Sequence, residues 1–242
     1  MKKSTTMTLL ILFLCITYMV KGQEVTVAIA ANFLIPFEDV KPALEKRCQC
    51  EVKLVAASSG ALTNQIINGA PFDLFLSANV KYTSYLYEQG LIDYEPQVFV
   101  YGTLYFWSKS EAGIGNLLNE NDITIGIADP ELAPYGAEAK SWLEREGYWN
   151  KVKDKVIYAD NIGKLNHFIS LGVVDLAFTA NSAVIKSELL KGRFTRLETA
   201  GIIPHSYIMV NNNPSVECLT RALQSEEIQN IFLKYHYKTY GH

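Results

Sequence analysis

Val25-Thr26-Val27-Ala28-Ile29-Ala30-Ala31-Asn32-Phe33 is the stretch on which the fold turns. Six small and β-branched residues in a row read as a strand, the first of a series alternating with helix-like segments, which argues for parallel sheets covered by helices. A turn at Ala31-Asn32-Phe33 follows. Pro36 then suits the first turn of a helix reaching about Lys46, with Pro42 predicting a kink or an early stop.

Outward from this unit the alternation repeats. Glu51 to Ala56 reads as a strand and Ala61 to Asn68 as a helix. Phe72 to Leu76 follows as strand, then a tyrosine-rich helix from Val80 to Gln89 that Gly90 ends. The middle of the chain does the same: strands at Ile123–Ala128, Val156–Tyr158 and Leu176–Thr179, helices at Gly136–Glu146 and Gly163–Leu171. Two extended stretches, Val98–Ser108 and Ser206–Asn211, are placed to carry the chain between sheets, and a closing helix from Ser215 to Tyr235 has a break near Ser225. The expected architecture is α/β, two lobes that each hold a mostly parallel sheet flanked by helices, with a ligand cleft between them. Residues 23–102 form the first part of lobe 1, 103–202 lobe 2, and 203–242 the return to lobe 1. Without a Gly/Ser tract, the lobes are not modules on a flexible string.

Residues 1–22 precede this pattern. Lys2-Lys3, an apolar run from Met7 to Val20 and a small-residue site at Val20 and Gly22 are the parts of a secretory leader cleaved after Gly22. The run is shorter than the ~20 residues a spanning helix needs. Leu14 before Cys15 argues against a lipid anchor, since a lipidation site takes a small residue there. A periplasmic location is therefore expected. Cleavage removes three lysines, leaving 19 basic against 25 acidic residues and a net charge of −6. No general positive field remains to gather nucleic acid or anionic lipid.

The mature chain keeps Cys48, Cys50 and Cys218, an odd number in an oxidising compartment. A Cys48–Cys50 ring would be strained, so Cys218 pairs with one of them or none do. Cys-x-Cys with scattered histidines falls short of a metal site.

In open α/β sheets ligands gather at the carboxyl ends of strands, where helix starts expose N–H groups and the positive end of the helix dipole. Four turns occupy that place: Ala31-Asn32, Ser58-Ser59-Gly60, Ala133-Pro134-Tyr135-Gly136 and Asp160-Asn161-Ile162-Gly163. Each alone reads as capping or turn chemistry. Together, two from each lobe, they bring an asparagine amide, hydroxyls, a phenol and main-chain N–H groups to one point. Such neutral donors suit a small oxyanion that carries no proton at neutral pH.

Four segments also carry a family resemblance: Ala30-Ala31-Asn32-Phe33-Leu34, Ala57-Ser58-Ser59-Gly60, Ile67-Asn68-Gly69-Ala70-Pro71-Phe72-Asp73-Leu74-Phe75-Leu76-Ser77-Ala78 and Asp129-Pro130-Glu131-Leu132-Ala133-Pro134-Tyr135-Gly136. In order and over nearly the whole mature chain, the sequence resembles the periplasmic molybdate-binding proteins of ABC importers. The resemblance implies a type II periplasmic binding fold closing on molybdate or tungstate, no cofactor, a monomer, and membrane permease and ATPase subunits as partners. It implies that Asn32 and Ser59 bind from lobe 1, that Tyr135 through its hydroxyl and Ile162 through its N–H bind from lobe 2, and that Ala31 lines the site. All would contact the anion's oxygens rather than coordinate molybdenum. Two departures stand out: relatives place a hydroxyl residue at Ala31 or Asn32, and some a tyrosine at Phe178.

Sulfate shares charge and shape with molybdate, so pocket volume must separate them. Phosphate would need a carboxylate acceptor such as Asp129 or Asp160, and ferric iron clustered tyrosines or carboxylates. An adhesin or sensor that kept the fold and lost transport would read the same. A serine hydrolase using Ser58 or Ser59 lacks a G-x-S-x-G elbow and has only His167 near a ligand turn. The reading is a binding protein, not an enzyme.

Overall fold

The structure is a computed structural model that describes residues 23–239; the leader expected at 1–22 lies outside them. Two five-stranded sheets organise the chain. The first joins β1 (Gln23–Ala30), β2 (Cys50–Ala57), β3 (Leu74–Ser77), β4 (Gln97–Gly102) and β10 (Ile203–Met209) in the order β2-β1-β3-β10-β4. The second joins β5 (Leu104–Ser108), β6 (Ile125–Ala128), β7 (Val156–Ala159), β8 (Leu176–Ala180) and β9 (Arg193–Arg196) in the order β7-β6-β8-β5-β9. The fold is two-lobed α/β.

In each sheet one strand runs against the rest. β1 pairs in parallel with β2 and β3, while β10 is antiparallel to β3 and β4. β6 pairs in parallel with β7 and β8, while β5 is antiparallel to β8 and β9. The reversed strands are those by which the chain enters from the other lobe: Thr103 alone separates β4 from β5, and β10 is reached after β9. β1 lies inside its sheet with Val25, Val27, Ala28 and Ile29 fully buried, which is why its apolar run does not alternate; β2, at the edge, does.

Helices α1 (Leu34–Cys48), α2 (Ser59–Ile67) and α3 (Val80–Glu88) follow the strands of the first sheet; α4 (Ile114–Leu118), α5 (Pro134–Arg145), α6 (Trp149–Val152), α7 (Ile162–Leu171) and α8 (Ser187–Leu190) accompany the second. α9 (Pro214–Leu223) and α10 (Glu226–Lys234) close the chain on lobe 1. Pro42 does not stop α1. It and Glu38, whose carbonyl loses its N–H partner, are both exposed, so water can satisfy that group. The closing helix is two, parted at Gln224-Ser225. β9, α4, α6 and α8 have four or five residues each and carry no periodicity to read. No helix among the described residues is long and apolar enough to cross a membrane.

Candidate functional site

The first turn of a helix holds N–H groups with no intrahelical acceptor. Three helices begin at one place between the lobes: α2 after β2, α5 after β6 and α7 after β7. A 3-10 turn, Ala31–Phe33, after β1 makes the fourth wall. Ala30, Ala31, Asn32, Ser58, Ser59, Ala78, Ala133, Pro134, Tyr135, Asn161 and Ile162 line a single cavity there. The five residues picked from sequence, Ala31, Asn32, Ser59, Tyr135 and Ile162, are all among them.

The cavity is small. The room open to the centre of a water molecule is about 10 Å³, roughly what one water requires. Walls this close leave no space for a hydration shell, so the lining must meet the polar groups of any guest that the lobes part to admit. Among the described residues, no Lys, Arg, Asp, Glu or His lines it.

Ser59 is buried, and its Oγ accepts from the Ala78 N–H at 3.0 Å. A hydroxyl engaged as acceptor still has its proton to give. Ser58, the N-cap residue of α2, makes no side-chain capping bond although it lines the cavity. The turn and capping bonds in this region use the N–H groups of Gly60, Leu62, Gly136, Ala137, Lys164 and Leu165, and not those of Ser59, Tyr135 or Ile162. Gly136 is a packing requirement: a Cβ there would lie 1.9 Å from the Ala128 carbonyl oxygen, so only glycine lets α5 start against the end of β6.

Two side chains expected to donate into the site spend their protons behind it. The Asn32 amide gives one hydrogen to Tyr237 Oη at 2.9 Å and the other to His205 Nε2 at 3.0 Å. That direction is fixed chemically, because His205 Nδ1 lies 2.8 Å from the Ile203 carbonyl and must donate, which leaves Nε2 as acceptor in the neutral ring. Burial lowers the His205 pKa to about 3, only partly opposed by the bond to Ile203. Tyr135 gives its hydroxyl proton to Asn181 Oδ1 at 2.7 Å, and burial raises its pKa well above the usual phenol value. What Asn32 and Tyr135 retain for the cavity is the main chain.

The remaining candidates separate cleanly. Phe178 is buried in lobe 2 against Phe106 and Trp142, ring centroids 5.2 and 5.6 Å away, and does not reach the cavity. Asp129 accepts from the Glu131 N–H and Asp160 pairs with Lys164; neither lines the cavity. His167 is exposed on α7. The residues that sequence reading missed, Asn181, Ser182, His205 and Tyr237, form the buried polar layer behind the cavity. Thr179-Ala180-Asn181-Ser182 was the available signal, a polar pair at the end of a buried strand like the four turns already singled out.

The lobes touch around this site. Gly60 N–H donates to the Leu132 carbonyl at 2.9 Å, Tyr82 Oη to the Glu131 carbonyl at 3.2 Å, and Ser182 Oγ to the Asn32 carbonyl at 2.7 Å.

Comparison with known proteins adds to this geometry. A family profile described as bacterial extracellular solute-binding protein matches residues 25–238. The molybdate-binding protein ModA of Azotobacter vinelandii is 33% identical over 177 residues, 71% of this chain and 70% of that protein. A solved Azotobacter vinelandii periplasmic molybdate-binding protein superposes with a TM-score of 0.79 at 23% identity, covering 88% of this chain and 98% of that one. The sulfate-binding protein SubI of Mycobacterium tuberculosis superposes as well, at 0.80 with 13% identity over 91% of this chain and 88% of that one. At such identities both structures speak for the fold alone.

Proposed function

The chain belongs to the bacterial extracellular solute-binding proteins, in the group that includes the molybdate-binding proteins, and from that premise we propose that it captures molybdate or tungstate as a tetrahedral dianion in the interlobe cavity. The observation that carries this reading is that four strand-end turns, two from each sheet, meet in one cavity with a neutral lining that is rich in helix starts. The anion is held by the Ser59 hydroxyl, joined by that of Ser58, and by main-chain N–H groups at Ala31-Asn32, Ser59, Tyr135 and Ile162. Each helix start adds the positive end of its dipole. Hydrogen bonds to a charged partner contribute about 1.5–3 kcal/mol each, so several together support sub-micromolar affinity, roughly 8 kcal/mol or more.

Neutral donors also select. A phosphate that keeps a proton at neutral pH needs an acceptor, and among the described residues no carboxylate lines the cavity. Sulfate needs none, so the hydrogen-bond pattern accepts it, and selection must come from fit: its shorter bonds hold its oxygens farther from donors spaced for the larger anion. In the cell the chain works in the periplasm, its leader removed, as a monomer that delivers the anion to a membrane permease driven by an ATPase subunit. Lobe 1 comprises 23–102 and 203–242, and lobe 2 comprises 103–202.

Calorimetry with molybdate, tungstate, sulfate and phosphate tests the assignment. Molybdate and tungstate bind tightest and nearly alike, sulfate more weakly and phosphate least. Tightest binding of sulfate or phosphate reassigns the ligand.

A further inference from the structure

Two consecutive residues that touch no part of the cavity hold both of its walls from behind. Asn181 and Ser182 follow β8 directly and are buried, at 0% and 1% exposure. The Asn181 side chain is bonded at both ends, with both lone pairs of its oxygen taken. Its Oδ1 accepts from the Thr103 N–H at 3.2 Å and from Tyr135 Oη at 2.7 Å, and its Nδ2 donates to the Tyr235 carbonyl at 2.8 Å. Its orientation leaves no choice, since an N–H only donates and a carbonyl only accepts. Thr103 is the single residue joining the two sheets between β4 and β5, Tyr135 lies in the first turn of α5 on the lobe 2 wall, and Tyr235 caps the carboxyl end of α10 on lobe 1. Ser182 reaches the opposite wall through its bond to the Asn32 carbonyl.

The crossing is packed on the same group. A Cβ at Gly102 would lie 2.1 Å from Tyr135 Oη, so the backbone of the crossing rests directly against the phenol that Asn181 holds.

We propose that Asn181 and Ser182 are positioning residues for anion binding, fixing the Tyr135 and Asn32 walls of the cavity to each other and to the interlobe crossing at Thr103, and so set affinity without contacting the anion. The proposal rests on the oxyanion-binding reading above. When the crossing bends, Asn181 keeps its two acceptor bonds only if Tyr135 moves with Thr103. Lobe opening and loosening of the lobe 2 wall are thereby one motion. Ser182 adds the lobe 1 wall to it, because its bond to Asn32 spans the lobes and is lost when they part.

The test is isothermal titration of the full mature chain with molybdate, alongside the melting temperature of each ligand-free protein, for wild type, Ser182→Ala, Ser182→Thr and Asn181→Ala. Ser182→Ala weakens molybdate about tenfold, the worth of one buried hydrogen bond at the upper end of the usual range. Ser182→Thr, which keeps the hydroxyl, restores most of that loss. Asn181→Ala weakens binding at least as much. A residue that serves stability alone would lower the melting temperature and leave the dissociation constant of the folded protein where it was. Wild-type affinity in Ser182→Ala, with wild type itself binding molybdate, overturns the positioning role and leaves the anion reading intact. A wild-type chain that binds none of molybdate, tungstate, sulfate and phosphate overturns both. If Asn181→Ala does not fold, the serine pair decides alone.

Discussion

With one lone pair taken by the Ala78 N–H, the Ser59 hydroxyl still has its proton to place, and the cavity is beside it. Ser59→Ala should therefore weaken molybdate by about 1–3 kcal/mol and also cost about 1–3 kcal/mol of stability, because the Ala78 N–H loses its buried acceptor. Titration calorimetry and denaturant unfolding read the two effects separately, and unchanged affinity would remove Ser59 from the site. His205 makes a second claim at this scale. Its ring is neutral in the fold with a pKa lowered to about 3, whereas an unfolded histidine titrates near 6.5. Between those values the unfolded chain binds the extra proton, so stability falls as pH drops through that window, at about 1.4 kcal/mol per pH unit from this residue. Among the described residues, the ionisable side chains whose rings pack against it are Tyr135 and Tyr237, both held neutral by burial, so neither offsets the loss. Replacing it in His205→Gln should flatten the stability profile between pH 6 and 4 by about one proton; an unaltered slope would mean that another group titrates there. Which residues surround the cavity was legible, because strand-end turns announce themselves by composition. Which atoms of them face it was not: the Asn32 and Tyr135 side chains are claimed by Tyr237, His205 and Asn181, partners 46 to 205 positions away, and no local pattern encodes such pairing.

Elements show the same division between what local pattern reaches and what packing decides. Long apolar runs such as β1 and periodic helices such as α7 were plain, whereas β9 is four residues that become a strand only because β5 offers its edge. Cysteine pairing falls between. Sequence left Cys218 with Cys48, with Cys50 or with neither, and the fold settles it. Cys50 opens β2 facing the core as a free buried thiol, while Cys48 ends α1 beside α9 and is bonded to Cys218. This bridge closes a loop of 170 residues that contains all of the second sheet. Loops of that length constrain the unfolded chain strongly, and losing a native disulfide costs about 2–5 kcal/mol. The double variant Cys48→Ser, Cys218→Ser should unfold at lower denaturant by that amount. Anion affinity should persist, because α1 is 15 residues, about 22 Å, and the bridge sits at the end far from the cavity. A variant as stable as the wild type would show that the oxidised chain gains nothing from the bond.

For the whole molecule, the two sheets and the crossing at Thr103 were readable because an extended apolar stretch too long for one strand must go somewhere. How closely the lobes approach was not, since that rests on bonds between distant turns, among them Gly60 to Leu132, Tyr82 to Glu131, Ser182 to Asn32 and Asn181 to Tyr235. Those bonds and the cavity exist together. An anion that binds only when the lobes are together stabilises the closed, folded molecule by mass action, about 2.7 kcal/mol at a hundredfold excess over its dissociation constant. For a chain of this length that raises the melting temperature by roughly 5–11 °C. Molybdate at such excess should give this shift in differential scanning fluorimetry, and phosphate at the same concentration a much smaller one. The interlobe bonds supply the control. A Cβ at Gly60 would stand 3.1 Å from the Leu132 carbonyl oxygen that the Gly60 N–H now binds, so Gly60→Ala presses the lobes apart at this main-chain contact without adding or removing a donor in the cavity. The molybdate shift should shrink in that variant while the ligand-free melting temperature changes little, since lobe 1 and lobe 2 each keep their own sheet and helices. An undiminished shift would mean that closure at Gly60 is not what the anion's binding energy draws on, and that the cavity walls act without the contact between the lobes.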